Sequence, residues 1–187
     1  MSRYPGARLS SFYFWHLGSP LQKSQSGLLR ALLFNFLERH PQLVPLVFPG
    51  LCRAALTENA DLSEPTLVEL KKAINLVVQQ AKNTMRLCFM IDGIDEYDGD
   101  HAEISTFVKS LAAYENVKMI VSSRPIPACV EVFSSLPHLR LQDLTYNDIQ
   151  VYVQDTLKSH PNMKKFESRN RGQTQDLVTE ITKKASG

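Results

Sequence analysis

The sequence lacks long hydrophobic runs: its longest uninterrupted apolar stretches, such as residues 87–91, are about five residues long. A helix that crosses a membrane needs about 20 apolar residues. Near the start, only the short aromatic run at residues 12–15 is apolar, which is too short for the core of a secretory signal peptide. We therefore expect a soluble protein of the cytoplasm.

Cysteine is also scarce. The three cysteines, Cys52, Cys88 and Cys129, are far apart and form no C-x-x-C pair. An odd number at such spacings predicts neither a disulfide framework nor a structural zinc site. This usage is typical of proteins of the reducing cytosol.

Neither sign of charge is in excess. Twenty-one Lys and Arg residues against 19 Asp and Glu residues leave a net charge of +2. Nucleic-acid and membrane-surface binders usually carry a clear basic excess, so we expect no nucleic acid and no membrane among the partners. The 43% of hydrophobic residues and the chain length of 187 suit one folded domain with a short appendage.

Glycines are few, and their placement excludes one common phosphate-binding motif. None of the eight glycines precedes a lysine, so these 187 residues hold no G-x-x-x-x-G-K-[S/T] loop. Such a loop cradles phosphates with its backbone N–H groups and its lysine. A phosphate site in this chain must therefore be built from other residues.

The periodicity of the remaining sequence predicts an α/β fold. Short apolar runs of strand type alternate with segments in which apolar residues recur at helical spacing. Strands separated by helices imply crossover connections and a mostly parallel sheet with flanking helices, followed by C-terminal helices. The predicted strands are 11–15, 87–91, 117–121 and a weak fourth at 139–141; Thr145 with Asp148 is predicted to cap the helix after the fourth.

Acidic residues follow the most hydrophobic strand. Asp92 stands at its end, and Asp95 and Glu96 follow after the turn at Gly93. Ligands of open α/β sheets bind at the carboxyl ends of strands, where Asp92 could hold Mg²⁺ in the manner of a Walker B carboxylate. Asp95 and Glu96 could polarise a water for attack on a γ-phosphate. The alternative is a solvated acidic turn after a core strand, since Asp-Gly is a common turn pair.

An arginine follows the next predicted strand. Arg124 comes after two serines and before Pro125, which favours an extended backbone at the arginine. If the two strands are parallel and adjacent, Asp92 and Arg124 emerge at the same sheet edge, where a guanidinium could bind a phosphate. The alternative is an exposed arginine ahead of a helix that a proline opens.

Several segments, taken in order, resemble a known family. They are the aromatic run at 11–15, the segment 21–30, D-G-I-D-E-Y from Asp92, S-S-R-P ending at Pro125, and the segment 144–149. Over residues 10–187 they look like the NACHT domain of fungal NOD-like receptor proteins, of the nephrocystin-3-like N-terminal type. The resemblance implies a STAND-class P-loop NTPase, with Asp92 as the Mg²⁺ carboxylate, Asp95 and Glu96 as the acidic catalytic pair, and Arg124 as the nucleotide-binding sensor arginine.

The chain departs from that family at its start. The family's first strand and its Walker A loop would precede Phe12, so the resemblance implies an incomplete P-loop fold and an internal piece of a longer protein. We divide the chain into a ragged start (1–9), a partial NACHT core (10–160) and the beginning of a helical region (161–187). The family strand order, five-one-four-three-two, places the aromatic strand beside strand 87–91, on the side away from strand 117–121.

Three functions remain open at this point. The first is part of a nucleotide-dependent signalling switch, whose parent uses Mg²⁺ with ATP or GTP and associates with like NACHT domains, while this chain by itself binds no nucleotide. The second is a non-catalytic scaffold that pairs with full-length relatives. The third is an unrelated Mg²⁺-dependent phosphotransfer or nuclease enzyme that uses Asp92, Asp95 and Glu96 as metal ligands.

Overall fold

The computed structural model describes residues 7–57, 63–160, 162–163 and 173–185, which fall into two compact units, 1–136 and 137–187. The elements of the first unit are β1 (Ala7–Tyr13), α1 (Gln25–Leu37), a 3-10 turn (Pro41–Leu43), α2 (Val44–Val47), α3 (Pro49–Ala55), α4 (Leu67–Ala81), β2 (Arg86–Asp92), a 3-10 turn (Ile94–Glu96), α5 (His101–Ala112), β3 (Val117–Val121) and α6 (Pro127–Phe133). The second unit holds α7 (Leu141–Ser159) and α8 (Gln173–Ala185).

The three strands form one parallel sheet in the order β1-β2-β3. In its register Leu9 pairs with Cys88, and Cys88 pairs with Lys118. The α/β class and the parallel sheet with flanking helices are thus confirmed. The expected neighbours are confirmed as well, because β1 lies on one side of β2 and β3 on the other.

Three helices of the first unit, α1, α4 and α5, begin at polar side-chain caps. The Ser24 hydroxyl accepts a hydrogen bond from the Gly27 N–H at the start of α1. Thr66 and Glu69 form a reciprocal capping box at the start of α4. Asp100 accepts from two N–H groups of the first turn of α5. Each cap satisfies backbone donors that a helix leaves unpaired at its N-terminus.

The two faces of the sheet differ in their burial. Paired residues of parallel strands share a face, and one face presents Ser10, Leu87, Phe89, Ile91 and Val117, all buried against the helices of the first unit. The opposite face presents Leu9, Tyr13 and Ile120 at 66%, 56% and 60% exposure.

The first strand differs in extent from its prediction. β1 runs over Ala7–Tyr13 rather than 11–15, so residues 7–9, expected to be irregular, are paired with β2. The aromatic residues of the predicted strand 11–15 alternate in burial: Phe14 is buried and Phe12 packs on the core, whereas Tyr13 and Trp15 are exposed. Pairing with β2 outweighs the low β-propensity of the segment before residue 11, because ladder hydrogen bonds need no particular side chain.

The predicted fourth strand is wrong. Leu139 and Arg140 are in neither a strand nor a helix, and Leu141 is the first residue of α7. Leu139 and Leu141 are exposed, so no burial of these two side chains stabilises a strand at this position. The predicted cap at Thr145 is also wrong, since its hydroxyl donates to the Leu141 carbonyl inside the helix. In the second unit α7 packs against α8, the predicted last helix, and buries Val153 and Val178.

Candidate functional site at the carboxyl edge of the sheet

Asp92 ends β2 at the carboxyl edge of the sheet, next to the segment that follows β3. The Ser122 hydroxyl donates a hydrogen bond to Asp92 Oδ1 and accepts one of 3.0 Å from the Gly93 N–H. The Ser122 N–H donates in turn to the Ile91 carbonyl at 2.9 Å. These contacts hold one carboxylate oxygen of Asp92 beside the residue that follows β3. Asp92 therefore lies at the carboxyl edge of the sheet, where the sequence predicted it.

Gly93 makes the turn that leads from Asp92 to the other acidic residues. Its φ of 69° is left-handed, a conformation that favours glycine. The carbonyl of Phe14 lies 3.4 Å from where a Cβ would stand. The turn brings the Ile94 N–H to the Ser122 carbonyl at 3.1 Å and starts the short 3-10 helix that carries Asp95 and Glu96. The Asp-Gly turn of the sequence is therefore present, and it leads directly into the segment that carries Asp95 and Glu96.

Asp95 and Arg124 contact each other. Asp95 Oδ1 accepts a 3.0 Å hydrogen bond from the Arg124 N–H, and Asp95 Oδ2 lies 3.6 Å from Arg124 Nε. Their environments differ sharply, because the Asp95 side chain is 9% exposed and that of Arg124 is 81% exposed. The carboxylate is thus enclosed on the protein side of the pair, and the guanidinium faces solvent.

Glu96 and Asp98 tie the same acidic segment to the loop that follows β1. Glu96 Oε2 accepts a hydrogen bond of 2.9 Å from the His16 N–H. The Asp98 N–H donates to the Lys23 carbonyl at 2.8 Å, and the two side chains form an ion pair at 3.4 Å. Residues 92–98 therefore connect the ends of all three strands, with contacts to the segments after β1 and after β3.

Tyr97, within the segment 92–98, packs against the hydrophobic core. Its ring packs edge-on against Phe14, with centroids 5.8 Å apart, and against His101, 6.1 Å apart. Burial raises the pKa of the Tyr97 hydroxyl, and the nearby carboxylates of Glu103, Asp100 and Asp98 add to that rise. His101 Nε2 lies 3.1 Å from the Asp95 carbonyl, which fixes the backbone of the acidic turn from the other side.

The donor set at the edge suits a hard cation held by few protein ligands. Within the described ranges, no group of three or more His, Cys, Asp or Glu side chains is placed to hold a metal ion. Asp92 and the Ser122 hydroxyl offer oxygen atoms, which Mg²⁺ prefers, and Mg²⁺ commonly takes one or two carboxylates and keeps several waters. Asp95 and Glu96 already accept hydrogen bonds from Arg124 and His16, so they are less suited to complete a metal cage.

Sequence reasoning located the site but missed two of its partners. The structure pairs Asp95 with Arg124, joins Asp92 to Ser122 of the same loop, and turns Glu96 toward the loop after β1. Ser122 belongs to the S-S-R-P motif, and the parallel register alone would have placed it opposite Asp92. The role of the His16 backbone has no signal in the sequence, because any residue supplies an N–H.

The comparison with known proteins matches the part of the chain that holds this site. The sequence model of the nephrocystin 3 N-terminal family matches residues 3–124, which is more than half of the 187 residues. The chain belongs to the nephrocystin 3 N-terminal family. The matched stretch contains all three strands and ends at Arg124, and the second compact unit lies outside it. No curated protein and no solved structure matches the chain.

This family assignment confirms the nephrocystin-3-like part of the resemblance. It also agrees with the order of motifs read from the sequence, since the aromatic run, the acidic segment and the arginine all lie within the match. In the described part of the chain, no helix combines the length and the apolar composition that crossing a membrane demands.

Proposed function

We propose that this domain belongs to a nucleotide-dependent signalling switch of the NACHT type. The observation that carries the proposal is that Asp92 ends β2 and Arg124 follows the parallel neighbouring strand β3, so both stand at the carboxyl edge of the sheet. A carboxylate for a cation and an exposed guanidinium for a phosphate are the two charges that a Mg²⁺–nucleotide requires. The membership in the nephrocystin 3 N-terminal family supports the proposal, and the NACHT resemblance supplies its finer form.

In this proposal each residue has a separate task. Asp92, oriented by Ser122, would hold Mg²⁺ directly or through water, and a cation held there would offset the negative charge of a phosphate. Arg124 binds the terminal phosphate and thereby senses whether it is present. Glu96, with one oxygen on the His16 N–H, polarises the attacking water, and Asp95 contacts Arg124.

In this proposal the chain supplies the cation carboxylate, Asp92, and the phosphate-sensing arginine, Arg124. It supplies no loop of backbone N–H groups that would surround the phosphates. Walker A backbone amides and their lysine make most of the phosphate contacts in P-loop enzymes, and these 187 residues contain no such motif. We therefore propose that Mg²⁺ with ATP or GTP is the ligand of the complete switch and that the chain by itself binds neither. The proposal places the protein in the cytoplasm, in agreement with its three free cysteines.

The test compares the chain with a variant that carries a cradle. Calorimetry with ATP and GTP in the presence of Mg²⁺ should show no saturable binding to the chain at physiological nucleotide concentrations. Joining a strand and a complete P-loop segment ahead of Ala7 should restore binding. In that fusion Asp92→Asn should weaken the Mg²⁺-dependent binding, Glu96→Gln should mainly slow turnover, and Asp98→Asn should change neither.

Two results would contradict the proposal. Tight Mg²⁺-dependent nucleotide binding by the chain as it stands would favour an unrelated Mg²⁺-dependent enzyme. A fusion that folds and binds nucleotide equally well with and without the Asp92→Asn substitution would remove Asp92 from the site.

A scaffold function is the second candidate, and the open sheet face favours it. Leu9, Tyr13 and Ile120 expose apolar surface on one face of a parallel sheet, a kind of sheet that is usually covered on both faces. Such a surface suits association with another protein, including another domain of the same family. This candidate requires no ligand at Asp92, so substitutions there separate it from the first.

A further inference from the structure

We propose that Asp95 is the positioning residue of Arg124, which it holds so that the guanidinium presents its outer amino groups to a phosphate at the sheet edge. This inference rests on the proposed function, because it assigns a task to Asp95 within the same site. It differs from the sequence-based assignment of Asp95 as a catalytic carboxylate. The contacts, the burial and the remaining hydrogen-bonding capacity of the pair support it.

The contacts hold Arg124 at two points that leave its outer end free. Asp95 Oδ1 binds the Arg124 backbone N–H at 3.0 Å, which fixes the path of the chain. Asp95 Oδ2 approaches Arg124 Nε, the donor nearest the chain, at 3.6 Å. A guanidinium has five N–H donors in a fixed plane, so an ion pair on the side of Nε draws that side toward Asp95 and leaves the two amino groups available.

The burial of Asp95 distinguishes this arrangement from an ion pair between two exposed side chains. The Asp95 side chain is 9% exposed, whereas a pair of exposed side chains is screened by water and loses side-chain entropy when it forms. The Asp95 backbone is itself fixed, because its carbonyl lies 3.1 Å from His101 Nε2 and its turn begins at the left-handed Gly93. The carboxylate is therefore a rigid anchor, and the arginine is its exposed, adaptable partner.

The same geometry makes Asp95 a poor general base for a water beside a phosphate. Both of its oxygens face Arg124, one toward the N–H and one toward Nε. A general base must reach the proton that it takes at about 2.6–3.2 Å, with a lone pair directed to it. Because both oxygens of this enclosed carboxylate lie near Arg124, neither is directed at a water beside a phosphate. Glu96, whose other oxygen is not bound to the His16 N–H, is the better candidate for the water.

The experiment uses the complete chain and magnesium tripolyphosphate, a probe with the phosphates of a nucleotide and no base. Arginine is labelled with ¹⁵N, and the Arg124 backbone and Nε signals are followed by NMR while the probe is added beyond the concentrations used for calorimetry. We expect the Arg124 signals to shift with weak affinity. Asp95→Ala should weaken the affinity shown by the Arg124 signals at least about tenfold. Asp95→Asn keeps an acceptor for the Arg124 N–H, so its affinity should lie between those of the wild type and Asp95→Ala.

Two controls separate positioning from general damage. Asp98→Asn removes a carboxylate of the same segment that pairs with Lys23 instead, and it should leave the Arg124 response unchanged. In a second sample, labelled uniformly with ¹⁵N, broadening of the Gly93 and Ser122 amide signals by Mn²⁺ reports the cation site at Asp92. It should persist in Asp95→Ala if the role of Asp95 is confined to Arg124. If Asp95→Ala does not fold, the comparison of Asp95→Asn with Asp98→Asn decides.

The outcomes distinguish this inference from the function on which it rests. If wild-type Arg124 responds and the Asp95 variants respond equally well, the positioning role is overturned and the proposed function survives. If Asp95→Ala loses the Mn²⁺ effect and the Arg124 response together, Asp95 is merely structural and the inference is again overturned. If wild-type Arg124 does not respond at all while Mn²⁺ still binds, the phosphate-sensing function fails and the inference fails with it.

Discussion

The two faces of the sheet are built from the same three strands, yet they differ in how much of their apolar surface is buried. The face that includes Phe89 and Ile91 is buried against helices and forms the core of the first unit. The face that includes Leu9 and Ile120 is exposed at both of those residues. The alternation of side chains along a strand produces this division, because neighbouring residues point to opposite faces.

The difference separates the face that stabilises the domain from a face whose apolar side chains remain in contact with solvent. Apolar surface removed from water contributes about 25 cal/mol per Å², so the buried face holds the strands in register. The candidate site lies at the carboxyl edge, where loops after β1, β2 and β3 meet beyond the end of both faces. Substitutions on the two faces should therefore separate folding from association, with the site between them.

The largest effect is expected from truncating the buried face. Phe89 is 2% exposed in the central strand, so Phe89→Ala should lower the free energy of unfolding by about 3–5 kcal/mol, through lost burial and the cavity left behind. Ile120→Ala on the open face should change it by no more than about 0.5 kcal/mol. Urea denaturation of both variants provides the measurement. Equal losses would show that the open face is covered in solution.

How far the sequence predicts this division depends on the range of the interactions. The continuous apolar run of β2 predicts a buried central strand, and Ser24 and Asp100 predict helix starts, because these signals act within a few residues. The prediction of a strand at residues 139–141 was wrong because three alternating residues do not distinguish a strand from the residues just before a helix. The family resemblance helped with the strand order, which local patterns do not contain.

The candidate site divides in the same way. Asp92 and Arg124 could be assigned to one edge, since parallel neighbouring strands end together and both residues follow strands. The contact of Asp95 with Arg124, and that of Glu96 with the His16 N–H, could not be predicted, because they depend on how three loops fold over one another. Residue types therefore indicate the chemistry of the edge, and only the fold shows which carboxylate serves which partner.

The cysteines offer a chemical test of the same two faces. Cys88 lies on the open face of β2 and is partly exposed, whereas Cys129 is buried in α6 beside Ser105, with the two side chains 3.5 Å apart. In single-cysteine variants of the native protein, Cys88 should react with a thiol reagent at least about tenfold faster than Cys129, because a buried thiol is reached only by local opening. Release of thionitrobenzoate gives both rates. Similar rates would mean that the open face is closed to solvent.

A smaller effect is expected on association through the open face. Leu9→Lys with Ile120→Lys places two charges on the exposed apolar surface, a change that opposes edge and face pairing between sheets. We expect the double variant to weaken any self-association by at least about tenfold, since losing one buried apolar side chain of about 1.5–3 kcal/mol already exceeds the roughly 1.4 kcal/mol of a tenfold change. Sedimentation equilibrium measures the change. Val68→Lys, at an exposed valine of α4, is the matched control and should have no effect.

The smallest expected effect concerns Tyr97, which packs behind the site on the side of the buried face. Its pKa is raised in the folded protein, first by burial and then by the carboxylates of Glu103, Asp100 and Asp98. The folded state therefore holds the phenolic proton more tightly than the unfolded state does. The stability linked to this group is fully present below the ordinary tyrosine pKa of about 10 and is lost as the pH rises through the raised value. Because the ring is only partly buried, water screens much of the effect.

Tyr97→Phe isolates that contribution. The free energy of unfolding of the variant should fall less steeply above about pH 10 than that of the wild type, and the two should run parallel at neutral pH. Absorbance titration of tyrosinate supplies an independent check, because one late-ionising tyrosine should disappear from the curve of the variant. A wild-type curve in which all tyrosines ionise together would show that the ring is solvated. The packing of residues 92–98 onto the buried face would then be looser than the contacts of Tyr97 with Phe14 and His101 indicate.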